Sequence, residues 1–246
     1  RLLALLAPPS AGGTFISLRV LRQAQTSLEQ LVASGSIAKE VEPLLRAIVE
    51  KHASFLVIGG TGAGKTTLLS ALLGTVPKNE RILVIEDTAE LAPLHPHVVT
   101  LVSRRANAEG RGEITMAKLL QQSLRMRPDR IVVGEIRGAE VVDLLAALNT
   151  GHDGGAGTLH ANSVWEVPAR MEALAALGGL DRAALHSQLA AAVHVVLAME
   201  RGPEGRRLAH IGVLEGNPVR PQLIWSADTG PGEGFSEFVE RLGVAQ

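Results

Sequence analysis

An α/β fold is what this 246-residue sequence predicts: a mostly parallel sheet with helices on both faces, plus antiparallel strands at the C-terminal end. Three observations predict it. Short continuous apolar runs rich in β-branched residues (SFLVI, RILVIED and RIVVGE) have the length and content of strands buried on both faces. Segments with apolar residues at helical spacing separate them, which is the βα alternation of a parallel sheet. Late in the chain the alternation stops. VHVVLAME, RRLAHIGVLE and VRPQLIW follow one another as strands, which suits an antiparallel meander.

In chain order, the apolar run Leu2 to Ala7 reads as a strand or helix end inside a domain, closed by Pro8-Pro9. It is too short for the apolar core of a secretory leader. TFISLRV, Thr14 to Val20, reads as a short strand. Leu28 to Lys51 has helical spacing with a break near Gly35. Ser54 to Ile58 is a buried strand and Lys65 to Leu73 a helix. Arg81 to Asp87 and Val98 to Val102 are strands, and Ile114 to Met126 is helical. Arg130 to Glu135 is a strand, Ala139 to Leu148 a helix, and GAGTLHA a short Gly-rich strand. Helices follow over Val164 to Leu177 and Arg182 to Ala192. The expected division is 1–25 as the tail of a truncated N-terminal domain with its linker, and 26–246 as the main domain. The first residue is Arg, not Met, which suits a chain whose N-terminal part is missing.

Bulk composition narrows the function classes. A net charge of −1 provides no global field toward nucleic acid or anionic lipid. Four Phe, two Trp and no Tyr are few for base-stacking platforms. Without Cys there is no disulfide, thiolate metal site or Cys nucleophile. The late apolar run Leu189 to Met199 is too short to span a bilayer and contains His194.

Gly59 to Thr66 reads GGTGAGKT and fits G-x4-G-K-[ST], between a predicted strand and a predicted helix. Small residues at Gly60, Thr61, Gly62, Ala63 and Gly64 let the backbone wrap a polyphosphate with its N–H groups inward. The following helix adds its positive N-terminal end. Lys65 is placed to reach the β- and γ-phosphates, the Thr66 hydroxyl to ligate Mg²⁺, and Thr67 to support the α-phosphate. The expected ligands are therefore ATP or ADP with Mg²⁺. No NKxD stretch marks a GTPase base pocket, and no LSGGQ-like signature marks a transporter-type ATPase.

Hydrolysis needs a group that orients water, and charge around the metal. Ligands of open α/β sheets sit beyond the carboxyl ends of the strands, and two predicted strands end there in acid. IVVGE places Glu135, and LVIED places Glu86 and Asp87. Gly134 holds the position where a second phosphate-site motif usually has Asp. Glu135 is the expected water-orienting base and Glu86 the acid near Mg²⁺, acting through water. The plainer alternatives are a capping or solvated role for Glu135 and structural pairing for Glu86 or Asp87.

NTGHDGGAGTLHANS, Asn149 to Ser163, carries two histidines. A lone histidine is more often structural than catalytic, and H-x7-H is not a helical metal spacing. His160 nonetheless follows a short strand and belongs at the phosphate rim, where it could sense the γ-phosphate or anchor Glu135. For His152 both readings stand. Arg104 and Arg105 follow a strand, and Arg125, Arg127 and Arg137 surround Glu135 in sequence. These arginines divide between surface ion pairs and transition-state neutralisation, possible also from a neighbouring subunit.

GGTGAGKTT, RILVIEDTAEL, RMRPDRIVVGEIRGAE and NTGHDGGAGTLHANS together resemble the type II and type IV secretion traffic ATPases. That superfamily is marked by a Walker A loop, an Asp box, a Walker B that keeps Glu but lacks Asp, and a His box. GHDGxxxTLHANS looks like the CpaF/TadA-like ATPases of Flp (tight-adherence) pilus assembly. The resemblance covers about residues 13–215 and implies a RecA-like P-loop NTPase fold. It implies Lys65 and Thr66 at phosphate and Mg²⁺, Glu86 as Asp-box acid, Glu135 as catalytic Glu, and His152 and His160 as the His-box pair. It further implies Arg104 and Arg19 as arginines reaching phosphate at a subunit or domain boundary. The implied assembly is a homohexamer, cytoplasmic and peripheral at the inner face of the cell membrane. Its implied partner is a polytopic inner-membrane platform protein, with neither direct membrane insertion nor nucleic acid. The alternatives from other classes are a nucleic-acid translocase of conjugation type and a non-hydrolytic, nucleotide-gated scaffold.

Overall fold

The apolar runs become the strands of a nine-stranded sheet, and the helical segments cover it on both sides. The structure, a computed structural model, describes residues 2–18 and 25–244. The first half contains β1 (Leu2–Leu5), β2 (Phe15–Leu18), α1 (Leu28–Ala33), α2 (Glu42–Glu50), β3 (Phe55–Ile58), α3 (Lys65–Leu73), β4 (Ile82–Glu86), β5 (Val98–Val102) and α4 (Met116–Ser123). The second contains β6 (Arg130–Ile136), α5 (Glu140–Leu148), β7 (Ala156–Leu159), α6 (Val167–Leu177), α7 (Arg182–Ala192), β8 (Val195–Gly202), β9 (Gly205–Glu215), β10 (Arg220–Ser226), β11 (Gly230–Pro231) and α8 (Phe235–Arg241).

The sheet order is β11-β10-β9-β8-β3-β7-β6-β4-β5. From β8 to β5 all pairings are parallel, and from β8 to β11 all are antiparallel. The expected division into parallel core and terminal meander is thus present. Its cause is visible in the strands. Phe55 and Val57 point to one core and Leu56 and Ile58 to the other, and β3 is buried throughout. Leu68, Leu45 and Phe238 place α3, α2 and α8 on the first face. Leu145, Met171 and Leu189 place α5, α6 and α7 on the second. Each such side chain contributes about 1.5–3 kcal/mol by leaving water, so a strand with two apolar faces is stable only between two helical layers.

Several boundaries depart from expectation for local reasons. The Leu28–Lys51 segment divides as anticipated: α1 ends beside Gly35 at φ 74°, and α2 starts after a 3₁₀ turn at Lys39–Val41. Ile114 is not helical. It pairs with Arg104 across a bridge, and the Thr115 hydroxyl then caps α4 by accepting from Lys118 N–H. Val164–Glu166 is a 3₁₀ turn that leads into α6. β11 and α8 were not expected. The Leu2–Ala7 and Thr14–Val20 runs yield β1 and β2, an antiparallel pair whose strand residues are all exposed. Arg19 lies outside the described residues.

Candidate functional site

β3 ends in the middle of the sheet, and the chain turns over Gly59–Gly64 into α3. Gly59 has φ 144°, and a Cβ there would stand 2.3 Å from the Met199 carbonyl oxygen, so only glycine fits. Gly64, at φ 102°, precedes the first residue of α3, and no side chain caps the helix. Its first-turn N–H groups are therefore left to an external acceptor, which is how helix N-termini bind anions. Lys65 folds back over the loop, its Nζ donating to the carbonyls of Gly59 at 2.8 Å and Gly60 at 3.0 Å. Burial holds its ammonium below the ordinary lysine range; Glu135 opposes that shift and Arg137 adds to it.

Three parallel neighbours bring the other groups to the same edge. Glu135 projects from β6 where the ladder to β7 is irregular: Val133 pairs with Gly157 but Ile136 with Leu159, so β6 carries one extra residue. Such a bulge re-aims a side chain. The Thr158 hydroxyl pins it by donating to the Gly134 carbonyl at 2.6 Å. Arg137 holds the Glu135 carboxylate in an ion pair and also donates to Asp87 Oδ2 at 2.9 Å. His160 follows β7 directly and is exposed.

Glu86, at the end of β4, is only 3% exposed. Its Oε1 accepts from the N–H groups of Glu90 and Leu91, each at 3.0 Å, while Oε2 is buried without a hydrogen-bond partner. Burial pushes its carboxyl above the ordinary glutamate range, against the pull of those amides. Its Cγ lies 2.6 Å from where a Cβ on Gly134 would be. The side chain thus fills the space an aspartate at 134 would need.

These groups surround two connected spaces. Thr61–Thr67, Glu90, Glu135, Arg137, Thr158 and His160 line a cavity of about 390 Å³. Thr66, Glu86, Glu135 and Arg137 also face a polar recess of about 20 Å³, room for one water or ion. Among the described residues, no group of three or more His, Cys, Asp or Glu could hold a metal alone. The Thr66 hydroxyl with one or two carboxylates instead suits a hard cation that keeps waters and takes phosphate oxygens, as Mg²⁺ does. The unsatisfied Glu86 oxygen is the feature such a hydrated cation would satisfy.

Not every expected residue comes to this place. Walker-loop residues Gly60–Thr67, Glu86, Glu135 and His160 do. His152 does not. It precedes β7, so it sits at the opposite end of that strand, with Nδ1 3.2 Å from the Ala147 carbonyl at the end of α5. Arg125 and Arg127 precede β6 and are separated from Glu135 by roughly 20 Å of strand, so Arg137 alone of that sequence cluster touches it. Arg104 lies past β5 at the sheet edge, roughly 19 Å from β3 by strand spacing, with Nε donating to the Gly112 carbonyl. Sequence reasoning missed Arg206, whose Nε donates to the Gly62 carbonyl of the loop at 2.7 Å.

Comparison with known proteins places these features in context. Residues 4–201 match the family described as type II/IV secretion system protein. A Mycobacterium tuberculosis protein whose name assigns it provisionally to conjugal transfer is 63% identical over 233 residues, 94% of this chain and 66% of that one. The conjugal transfer protein TrbB of Rhizobium radiobacter is 31% identical over 86% of this chain and 64% of its own length. The chain therefore spans about two thirds or less of these relatives. Among solved structures, the VirB11 ATPase of the Brucella suis type IV secretion system, in complex with sulphate, superposes with TM-score 0.61 at 26% identity, covering 85% of this chain and 73% of that one. The pilus retraction motor PilT with bound ADP superposes with TM-score 0.60 over 99% of this chain and 67% of its own; at 21% identity it speaks to fold alone.

Proposed function

The chain belongs to the type II/IV secretion system protein family, and from that premise we propose that it is the ATPase module of a homohexameric secretion motor. One observation carries the reading. A phosphate loop, a helix mouth without a side-chain cap, a bulged strand presenting Glu135, and His160 all border one cavity. Residues 26–246 are the ATPase domain in this reading, and 1–25 the tail of a preceding domain with its linker.

The roles follow from position. Amides of the loop and of the first turn of α3 hold the β- and γ-phosphates, and Lys65 leaves its loop carbonyls to pair with them. Bound Mg²⁺ supplies Lewis-acid neutralisation of phosphate charge, held by Thr66 with Glu86 behind its waters. Glu135 orients the attacking water and accepts its proton, after Arg137 has yielded the carboxylate. His160 senses the γ-phosphate from the end of β7. Arg104, exposed at the sheet edge, and Arg19 act across subunit or domain boundaries. His152 has no phosphate role within its own subunit in this reading.

Hydrolysis moves the ring's domains against a polytopic inner-membrane platform protein, with the motor peripheral at the cytoplasmic face. Among the described residues no helix is long and apolar enough to cross a membrane. At the finer level the GHDGGAGTLHANS box supports a motor of Flp pilus assembly. A second reading, transfer of nucleic acid by a type IV apparatus, is favoured by the names of the conjugal transfer relatives. DNA separates the two: ATP turnover that DNA stimulates, with the stimulation falling as salt rises, selects the second. For the site itself, Lys65→Ala abolishes Mg·ATP binding in calorimetric titration. Unchanged ATP affinity in that variant removes the loop assignment.

A further inference from the structure

Thr158 is the polar residue of β7, whose sequence is AGTL, and it is 1% exposed. A buried hydroxyl is tolerated only where it is bonded, and valine has nearly the same shape without that demand. Here the hydroxyl donates to the Gly134 carbonyl. Thr158 and Glu135 also border the same phosphate cavity.

The accepting carbonyl stands where the sheet gives least support. The β4–β6 ladder ends at Ile85 opposite Val133, and the β6–β7 ladder passes from the Val133–Gly157 pair to the Ile136–Leu159 pair. Gly134 and Glu135 therefore lie opposite Thr158 alone, and neither ladder pairs them. The Gly134 carbonyl and the Glu135 N–H belong to one planar peptide. Holding that carbonyl sets the plane from which the Glu135 side chain departs, and Gly134 has no side chain of its own to resist its rotation. β7 is also the strand between β6 and β3. Thr158 pairs with Val57, two residues before Gly59 opens the phosphate loop, on the face that carries α3. Its hydroxyl thus ties the strand presenting Glu135 to the strand beside the loop.

We propose that Thr158 is a positioning residue: its hydroxyl, acting through the Gly134–Glu135 peptide, sets the direction from which the Glu135 carboxylate orients water on the terminal phosphate. The proposal rests on the assignment of Glu135 as base. Arg137 holds the same carboxylate by its charged end, but it has to yield before the carboxylate takes up water. The tie that defines the direction during turnover is then the one from Thr158 to the backbone. A misplacement of about 1 Å in such a group costs on the order of 10²-fold in rate.

The test removes the hydroxyl and keeps the shape. In the assembled ring, Thr158→Val lowers turnover about 10- to 100-fold while Mg·ATP affinity stays within about threefold of wild type. Thr158→Ser keeps the donor and stays within about threefold of wild type in both measurements. Thr158→Cys, a weaker donor of similar shape, falls between the two and stands in should Thr158→Val fail to fold. Without nucleotide, hydrogen exchange at the Glu135 amide quickens at least about tenfold in Thr158→Val, while exchange along β3 is unchanged. Added to Glu135→Gln, Thr158→Val lowers the residual turnover less than about twofold, because the group it positions is already gone. Wild-type turnover in Thr158→Val or Thr158→Cys overturns the proposal. So does a loss in Thr158→Ser equal to that in Thr158→Val, unchanged exchange at Glu135, or a full further loss on top of Glu135→Gln. Wild-type turnover in Glu135→Gln alone overturns instead the base assignment beneath it.

Discussion

Adding one methyl group at Gly134 probes how the acidic side of the site is built. Gly134 is not held at positive φ, so Gly134→Ala brings no backbone strain of that kind. The new Cβ would stand 2.6 Å from Glu86 Cγ, 2.9 Å from Oε1 and 3.1 Å from Cδ. The first two are closer than real Cβ contacts come and the third is tight, and Glu86 is buried, so its carboxylate must shift from its seat. Doing so breaks the two bonds from the Glu90 and Leu91 amides. Overpacking of this kind costs about 1–3 kcal/mol, and each lost bond about 0.5–1.5 kcal/mol. The expected loss is about 2–4 kcal/mol in urea unfolding, accompanied by weaker Mg²⁺-dependent nucleotide binding. The control is a double-mutant cycle. With Glu86→Ala already present, the Cβ meets nothing of that side chain, and the cost of Gly134→Ala should fall below about 1 kcal/mol. A loss of equal size in both backgrounds, or no loss in the wild-type background, would refute the steric argument.

Two further expectations concern charge. Burial raises the Glu86 carboxyl, so the folded chain holds that proton more tightly than the unfolded chain does. Its ionisation therefore destabilises the fold as pH rises from the ordinary carboxylate range through the raised value. Glu86→Gln should stabilise the nucleotide-free protein more at about pH 8 than at about pH 4, while weakening Mg·ATP binding; equal effects at both pH values would contradict this. At the opposite edge of the sheet, Arg130 is 1% exposed and donates to Glu80 at 2.6 Å. Glu80→Ala leaves that guanidinium buried without its partner and should cost about 3–5 kcal/mol in denaturant unfolding, whereas a cost below about 1 kcal/mol would contradict the assignment.

The part of the molecule legible in the sequence is the part whose information is local. β3, the glycine loop and α3 are contiguous, and a buried strand followed by GGTGAGKT has few other conformations to adopt. The same holds for α7, which spans the expected Arg182–Ala192; the structure adds that Asp181 accepts from Ala184 N–H at its start. Contacts across distance were not legible. His152 and His160 are close in sequence, but β7 runs between them and delivers only the second to the loop. Arg125 and Arg127 flank Glu135 in sequence, yet an extended β6 carries them to the far edge. Arg206 lies 144 residues from the carbonyl it bonds, on a hairpin whose strands carry no motif. For α8 a signal existed: Phe235, Phe238 and Val239 sit at helical spacing after a positive-φ glycine, but the segment is short enough to pass for loop. The extra residue that turns Glu135 outward is a property of the β6–β7 ladder, visible only once both strands are paired.

The central claim is that one carboxylate on β6 sets water upon a triphosphate held by the loop, and Glu135→Gln tests it most directly. The exchange keeps shape and removes the base. In the assembled ring, Mg·ATP affinity should remain within a few-fold of wild type while turnover falls by a factor on the order of 10² to 10⁴. Turnover close to wild type, with binding intact, would contradict the claim and assign the water to another group.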